Sequence, residues 1–290
     1  MDPTLGVERR NEVQAAVVDR VTLRDLPWRA TRDPWAILVA EVMLQQTQVP
    51  RVIPRYGEFL ARFPDVAACA RARRGEVVAA WAGLGYNRRA VNLHACAQLV
   101  TERHGGALPV DFAALRALPG IGEYTARAVL AFAHERDVAV VDTNVARVLA
   151  RVMGEPLTRR GVQTLADSLV PPAQGWRWNQ AMLDLGALVC TARSPRCGEC
   201  PLVSTCAWRG GDRDPALQSA GLSGRQSRFH GSDRQGRGRL VDALRRGPVA
   251  LCDLPETMGW PGDAPRAERV AMTLIADGLA VRLADCLALP

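Results

Sequence analysis

Four cysteines, Cys190, Cys197, Cys200 and Cys206, fall within seventeen residues in the pattern Cys-x6-Cys-x2-Cys-x5-Cys. Thiolates gathered so tightly ligate metal. Cysteine-only sets are the usual ligands of iron–sulfur clusters, and tetrahedral zinc is the competing occupant. Zinc ribbons favour two short Cys-x2-Cys knuckles, whereas this stretch has one, Cys197 to Cys200. The asymmetric spacing favours a cubane 4Fe-4S cluster. Two carboxylates also stand where chemistry could use them. Glu41 interrupts the apolar run Ile37 to Leu44, where burial would raise its pKa toward that of a proton donor; the bland alternative is a surface glutamate on an amphipathic helix. Asp142 lies in Val141-Asp142-Thr143-Asn144-Val145, and could equally cap the helix that follows. The chain contains no lysine, so all 37 basic residues are arginine and no lysine side chain can form a Schiff base.

Helices must position these groups. Across residues 8–190 apolar residues recur at three- and four-residue spacing, as in Trp35, Ile37, Leu38, Val42 and Met43, and in Val77, Val78, Trp81 and Leu84. Short Pro- and Gly-bearing breaks separate the runs, and strand alternation is weak, so the body is expected to be all-α. One break, Leu118-Pro119-Gly120-Ile121-Gly122, sits between two helical runs. Its two glycines, Gly120 and Gly122, near a helix start would let backbone N–H groups approach a phosphate, aided by the helix dipole. Such turns also join helices for purely structural reasons. The net charge of +7 suits a polyanionic partner. No apolar run reaches the ~20 residues of a membrane span, and the charged N-terminus lacks a signal-peptide core, so a soluble cytoplasmic protein is expected. Cys69, Cys96, Cys252 and Cys286 sit in apolar sequence and are expected to be buried free thiols.

The pattern breaks at residues 209–239, where seven Arg stand against three Asp among Gly and Ser. The expected organisation is a catalytic region over 1–208 with the metal loop at 190–206, a basic flexible linker over 209–233, and a small C-terminal segment over 234–290. In that segment Leu240–Arg246 and Arg266–Ala276 read as helices. Asp277-Gly278 then turns into an alternating Leu279–Leu283 tail that could close a small hairpin, which together suggest a winged-helix module.

Glycine hairpin, aspartate twenty residues after Gly122 and cysteine cluster together resemble the helix-hairpin-helix DNA glycosylases. Leu26-Pro27-Trp28-Arg29, the nine residues from Glu41 to Val49, Gly83-Leu-Gly-Tyr86, Asn92-Leu-His94 and the run Asn179 to Gly186 resemble the adenine-specific, MutY-type branch. The resemblance covers residues 24–208. Endonuclease III, a close relative of that branch, has an apolar residue where Glu41 stands and its catalytic lysine where Tyr124 stands. The resemblance implies a two-lobed helix-hairpin-helix fold with a 4Fe-4S loop, acting on double-stranded DNA with adenine opposite 8-oxoguanine or guanine, as a monomer and away from membranes.

It also implies residue roles. Glu41 would protonate N7 of adenine, while Asp142 stays ionised and stabilises an oxocarbenium-like sugar, a division of labour known from glycoside hydrolysis. Tyr124 and Asn144 would support this site, with Asn144 orienting Asp142. Trp28, Arg29 and Asp184 would contact the flipped adenine, the last as acceptor for its exocyclic amine. Gln46 and Tyr86 would insert into the base stack. The branch usually has a second tyrosine after Tyr86, and this chain has Asn87. Arg193, Arg196 and Arg209 could meet phosphate from the cluster loop. Many members carry a Nudix-type C-terminal domain that reads 8-oxoguanine, and the residues after Cys206 are too few for one. Two rivals are a thymine or uracil mismatch glycosylase, against which Glu41 argues because pyrimidines have no N7, and a non-catalytic iron–sulfur DNA-binding protein.

Overall fold

Because Pro34–Leu44 is apolar on nearly every side, it can only be a buried helix. In the computed structural model, which describes residues 4–211, 213–219 and 228–290, Trp35 through Ala40, Val42 and Met43 are all buried. Helices run α1 Val7–Arg20, α2 Pro34–Leu44, α3 Val49–Arg62, α4 Val66–Arg71, α5 Arg74–Ala80, α6 Arg88–Arg103, α7 Phe112–Arg116, α8 Glu123–Ala133, α9 Thr143–Met153, α10 Arg159–Leu169 and α11 Gly175–Asp184. The body is all-α, as its periodicity predicts.

The chain divides into two compact units, the first residues 1–37, 110–112 and 122–225, the second 38–109, 113–121 and 226–290. The first unit packs α1, α9, α10 and α11 around Leu149, Leu165, Leu169, Trp178 and Met182, with Leu202 of the cysteine loop in the same core. Truncating a fully buried leucine such as Leu165 would cost about 2–5 kcal/mol. α9 is stopped at both ends by local chemistry. Asp142 caps its start by accepting from Val145 N–H at 2.7 Å, and Gly154 ends it in the left-handed conformation (φ 80°). In the second unit α4 and α5 pack on α6, and Trp81, fully buried, meets Phe59 edge-on at 5.7 Å.

The C-terminal segment belongs to the second unit. Its order is α12 Asp233–Leu244, β1 Val249–Ala250, α13 Leu254–Met258, α14 Ala264–Ala276, β2 Val281–Leu283 and β3 Cys286–Ala288. The strands form an antiparallel sheet in the order β1-β3-β2, with Val249 opposite Leu287 and Arg282 opposite Leu287 on its other side. The hairpin expected at the tail is present, β2 pairing with β3.

Two expectations need correcting. The linker of 209–233 is partly seated: Asp214 pairs with buried Arg151 at 2.7 Å, and Ser219 Oγ accepts from Leu157 N–H at 3.0 Å. Residues 212 and 220–227 of that linker lie outside the described residues. Of the four thiols expected to be buried, Cys69 and Cys96 are, and burial pushes both up to about 12. Cys252 is exposed and Cys286 half-buried, since both sit at the rim of the small sheet where few layers cover them.

Candidate active site and cluster loop

Asp142 is fixed from both sides. Upstream, buried Asn179 accepts from Val140 N–H at 2.8 Å and donates to Val138 O at 2.9 Å, pinning the segment that delivers Asp142. Downstream, its Oδ1 caps α9 and its Oδ2 accepts from Asn144 Nδ2 at 2.7 Å. Asn144 in turn accepts from Arg147 at 2.8 Å. Arg147 also donates to Gly186 O at 2.7 Å and to the carbonyl of Cys190, in the cysteine loop, at 2.9 Å. Gly186 is required here, because a Cβ would lie 2.7 Å from Asn144 Cβ. A continuous path of hydrogen bonds thus joins the cysteine loop to Asp142. Burial pushes the Asp142 carboxyl above its ordinary value, against the lowering by Val145 N–H, the Asn144 amide and the Arg147 charge. The ionised Asp142 expected from sequence is therefore held at a cost. Tyr124 is half-buried on α8, packed against Ile37, Ala128, Phe132 and their neighbours.

Asp184 is wholly buried and saturated. Arg29 donates to both its oxygens at 2.7 and 2.9 Å, and Arg24 does so through its backbone N–H at 2.8 Å and its guanidinium at 2.6–2.7 Å. Despite its burial, these donors hold the carboxyl below the usual carboxylate range. Five donors occupy its acceptor positions, so Asp184 anchors Arg29 beside buried Trp28 and has no lone pair directed to an exocyclic amine.

In the second unit Glu41 is the one charged residue of α2 and is 5% exposed. Gln46 and Tyr86 both adopt left-handed backbone (φ 55° and 46°), a strained state for side chains of this kind. Buried Arg89 holds their loops together. It donates to Val42 O, Met43 O, Gln45 O, Thr47 Oγ1, Leu84 O and Gly85 O, all between 2.6 and 3.1 Å. Burial pulls its guanidinium down to about 10, still charged at neutral pH. Tyr86 stands 40% exposed beyond it. The hairpin glycines differ in what requires them. Gly120 has φ 78° and a Cβ there would lie 2.7 Å from Asn92 Cβ, whereas Gly122, at the N-cap of α8, is exposed with open space around it.

Cys190, Cys197, Cys200 and Cys206 line one cavity with Val189, Val203 and Trp208. Burial and its three neighbouring sulfurs push the Cys200 thiol up to about 11. Among the described residues, no group of three or more His, Cys, Asp or Glu side chains converges on a point that would hold one metal ion. Four sulfurs lining one common space suit the iron–sulfur cluster that their spacing favours. Arg151 closes the back: it donates to Cys190 Sγ at 3.3 Å and Thr191 O at 2.7 Å, and stacks on Trp208 at 4.5 Å. A buried cation bonded to the Cys190 sulfur would offset negative charge on the thiolates of a loaded cluster site. Arg196 and Arg209 are turned to the loop itself, on Leu188 O and on Cys206 O and Ser204 O, while Arg193 is exposed.

Residues 39–172 match the family model of the HhH-GPD superfamily base excision DNA repair proteins, and residues 190–206 match the iron-sulfur binding domain of endonuclease III. A thermostable thymine-DNA glycosylase structure superimposes with a TM-score of 0.66 at 30% identity, covering 70% of this chain and 97% of that one. Fold and cluster loop together make this a helix-hairpin-helix DNA glycosylase of base excision repair, with a 4Fe-4S cluster as its cofactor. Adenine DNA glycosylase of Mycolicibacterium smegmatis is 42% identical over 267 residues, 90% of this chain and 89% of that protein. Thymine-DNA glycosylase of Aeropyrum pernix is 40% identical, but over 65% of this chain. The chain belongs to the adenine DNA glycosylase family.

Sequence reasoning passed over Arg24, Arg147 and Arg151 in the first unit and Arg89 in the second, the cations that hold Asp184, Asn144, the cysteine loop, and the loops of Gln46 and Tyr86. In a chain whose basic residues are all arginine, each reads as a solvated face. The one available signal was on α9, where Arg147 and Arg151 stand four apart among Val145, Val148, Leu149 and Val152 with no polar stripe to share.

Proposed function

We propose that this glycosylase hydrolyses the N-glycosidic bond of adenine mispaired with 8-oxoguanine or guanine, leaving an abasic site and an intact strand. The observation that carries the reading is Glu41, a carboxyl buried in a helix with no other charge. A carboxyl buried in apolar surroundings favours its protonated form, and its chemistry is that of an acid delivering a proton to adenine N7. Asp142, fixed by Val145 N–H and Asn144, supports the developing sugar cation, whose positive charge relieves the cost of ionising the carboxylate in its buried setting. Trp28 offers a flat apolar face and Arg29 donors for the flipped base. Asp184 serves by orienting Arg29, which replaces the direct contact expected from sequence. Gln46 and Tyr86 enter the stack, and the open space at Gly122 admits a phosphate. The cluster serves to fold the loop behind Arg147 and Arg151, since hydrolysis transfers no electrons. With tyrosine at position 124 and no lysine in the chain, a Schiff-base lyase step has no side-chain nucleophile.

The enzyme acts as a monomer on duplex DNA, in the cytoplasm at the nucleoid; no helix among the described residues is long and apolar enough to cross a membrane. A single-turnover assay on duplex with adenine opposite 8-oxoguanine, with and without hot alkali, tests the chemistry. Strand breaks only after alkali, lost in Glu41→Gln, are the expected result. No adenine release from cluster-loaded wild type overturns the reading. The similarity to a thymine-DNA glycosylase favours one second reading, excision of thymine or uracil opposite guanine, and T:G and U:G duplexes in the same assay decide it.

A further inference from the structure

The residue after Tyr86 is Asn87, at the N-cap of α6, a position where asparagine ordinarily accepts from the helix's free N–H groups. Here it makes no such bond. Its Oδ1 instead accepts from Arg245 Nη2 at 2.9 Å, a residue at the end of α12 in the C-terminal segment. The same guanidinium donates twice to Val78 O, at 3.2 and 3.0 Å, and pairs with Asp242. Its side chain is 11% exposed. One residue further on, Arg88 pairs with Asp277 at 2.9 Å, and Asp277, the C-cap of α14, is held by Arg237 at 2.5 Å. The segment also seats elsewhere on this region: Pro290 O accepts from Gly75 N–H at 2.7 Å, and a Cβ on Gly278 would lie 2.9 Å from Arg74. Asn87 and Arg88, which directly follow the strained Tyr86, are thus each gripped by the C-terminal segment.

A winged-helix module suggests a DNA reader, but its charge argues otherwise. Residues 231–290 hold eight Arg against six Asp and two Glu, a net of zero. Arg266 and Arg269 of α14 are engaged by Asp233, so the helix that would enter a groove has its basic residues paired. A neutral surface gains little from counterion release.

We propose that the C-terminal module is a brace for the DNA-inserting loop: Arg245, through Asn87 and Val78, with Asp277 on Arg88, is a positioning residue that holds Tyr86 in its insertion-ready backbone. The proposal rests on Tyr86 entering the base stack. Without the brace, the left-handed Tyr86 relaxes toward commoner backbone angles, and each encounter with DNA must restore it before the base pair opens. The loss falls on unstacking of the target and on affinity for mispaired duplex. Proton delivery to an adenine already extrahelical is spared.

The test uses the full, cluster-loaded chain in three forms, Arg245→Met, Asn87→Ala and the double variant. Unstacking is read by fluorescence of 2-aminopurine placed at the target position, independently of base release, and affinity by anisotropy. Arg245→Met should weaken mispair binding and the 2-aminopurine signal about tenfold, as loss of a charge-assisted bond implies. Asn87→Ala should do the same, and the double variant should be no worse than either single one. Single-turnover release from a duplex with adenine opposite an abasic site should stay within about twofold of wild type, since little unstacking remains to be done. Unchanged unstacking in a folded Asn87→Ala overturns the brace, as does full additivity of the two substitutions. If Arg245→Met fails to fold, Asn87→Ala, which removes no helix cap, decides alone. A wild type that unstacks 2-aminopurine but releases no adenine would end the catalytic reading while leaving the brace to stand or fall on the variants.

Discussion

Replacing Arg147 by Met tests whether the cluster loop positions the reacting carboxylate or merely folds beside it. Arg147 is 6% exposed and makes three bonds of 2.7–2.9 Å, to Asn144 Oδ1, Gly186 O and Cys190 O. Methionine fills much of the space but donates nothing, so two interior carbonyls lose a charged donor. At ~1.5–3 kcal/mol for a bond to a charged group, partly recovered by water, the loss of stability is about 3–5 kcal/mol. In a protein of this size that lowers Tm by about 10 °C. The effect on chemistry is separate. Asn144 keeps its bond to Asp142 but loses the partner that fixes its own amide, so Asp142 gains freedom of a fraction of an ångström. Displacements of that order cost roughly ten- to a hundredfold in rate. The assay is single-turnover adenine release at saturating enzyme, on protein whose iron content and visible absorption equal those of wild type. Asn144→Ala should give a similar loss, and the two should not add. A fully loaded Arg147→Met with lowered Tm and a rate within about twofold of wild type would refute the positioning argument.

Three more outcomes follow from the same geometry. Asp142→Asn should abolish release, and, although it sets one amide against that of Asn144, its Tm should gain on wild type as pH rises. The folded pKa of Asp142 is raised, so the folded state holds its proton more tightly and wild-type stability falls as pH climbs through that value; the gap between mutant and wild type should close as pH drops below the ordinary carboxylate value. Asp184 is the opposite case. Its pKa is lowered, so its contribution is full above the ordinary carboxylate value and is lost as pH falls, and Asp184→Asn, which leaves two guanidiniums without their counter-charge, should cost about 3–5 kcal/mol by denaturant melting near neutral pH. Arg89→Met should cost about as much in the same measurement and should abolish 2-aminopurine unstacking, because the loops carrying Gln46 and Tyr86 share that one cation.

What could be read ahead of the structure was local in sequence. The cysteine spacing lies within one loop, the apolar run around Glu41 within one helix, and the turn at Leu118–Gly122 within five residues. For Asp142 the helix-cap reading holds, and the cap uses one oxygen while the other meets Asn144, so capping leaves the catalytic reading open. The arginine scaffold stayed hidden for a physical reason: Arg29 finds Asp184 155 residues away, Arg89 finds Val42 47 away, and no periodicity encodes such pairings. The seat of Asp214 on Arg151 was masked by its polar, glycine-rich neighbours, which read as linker. β1 is two residues long and has no alternation to detect. Asp184 was assigned by resemblance as a base contact, and its saturation by two guanidiniums needed coordinates to see.

The two glycines of the hairpin differ in what a side chain would meet. At Gly120 the fold itself forbids a side chain, through a positive φ and the nearby Asn92; at Gly122 a Cβ would meet nothing in the protein. A survey of variants scored by abundance would therefore flag the first and pass the second as harmless. A survey scored by mutation rate in growing cells would flag both. If a phosphate meets Gly122 as proposed, what excludes a methyl group there arrives from outside the chain, and the disagreement between two such surveys would trace the footprint of DNA on this enzyme without a complex having to be seen.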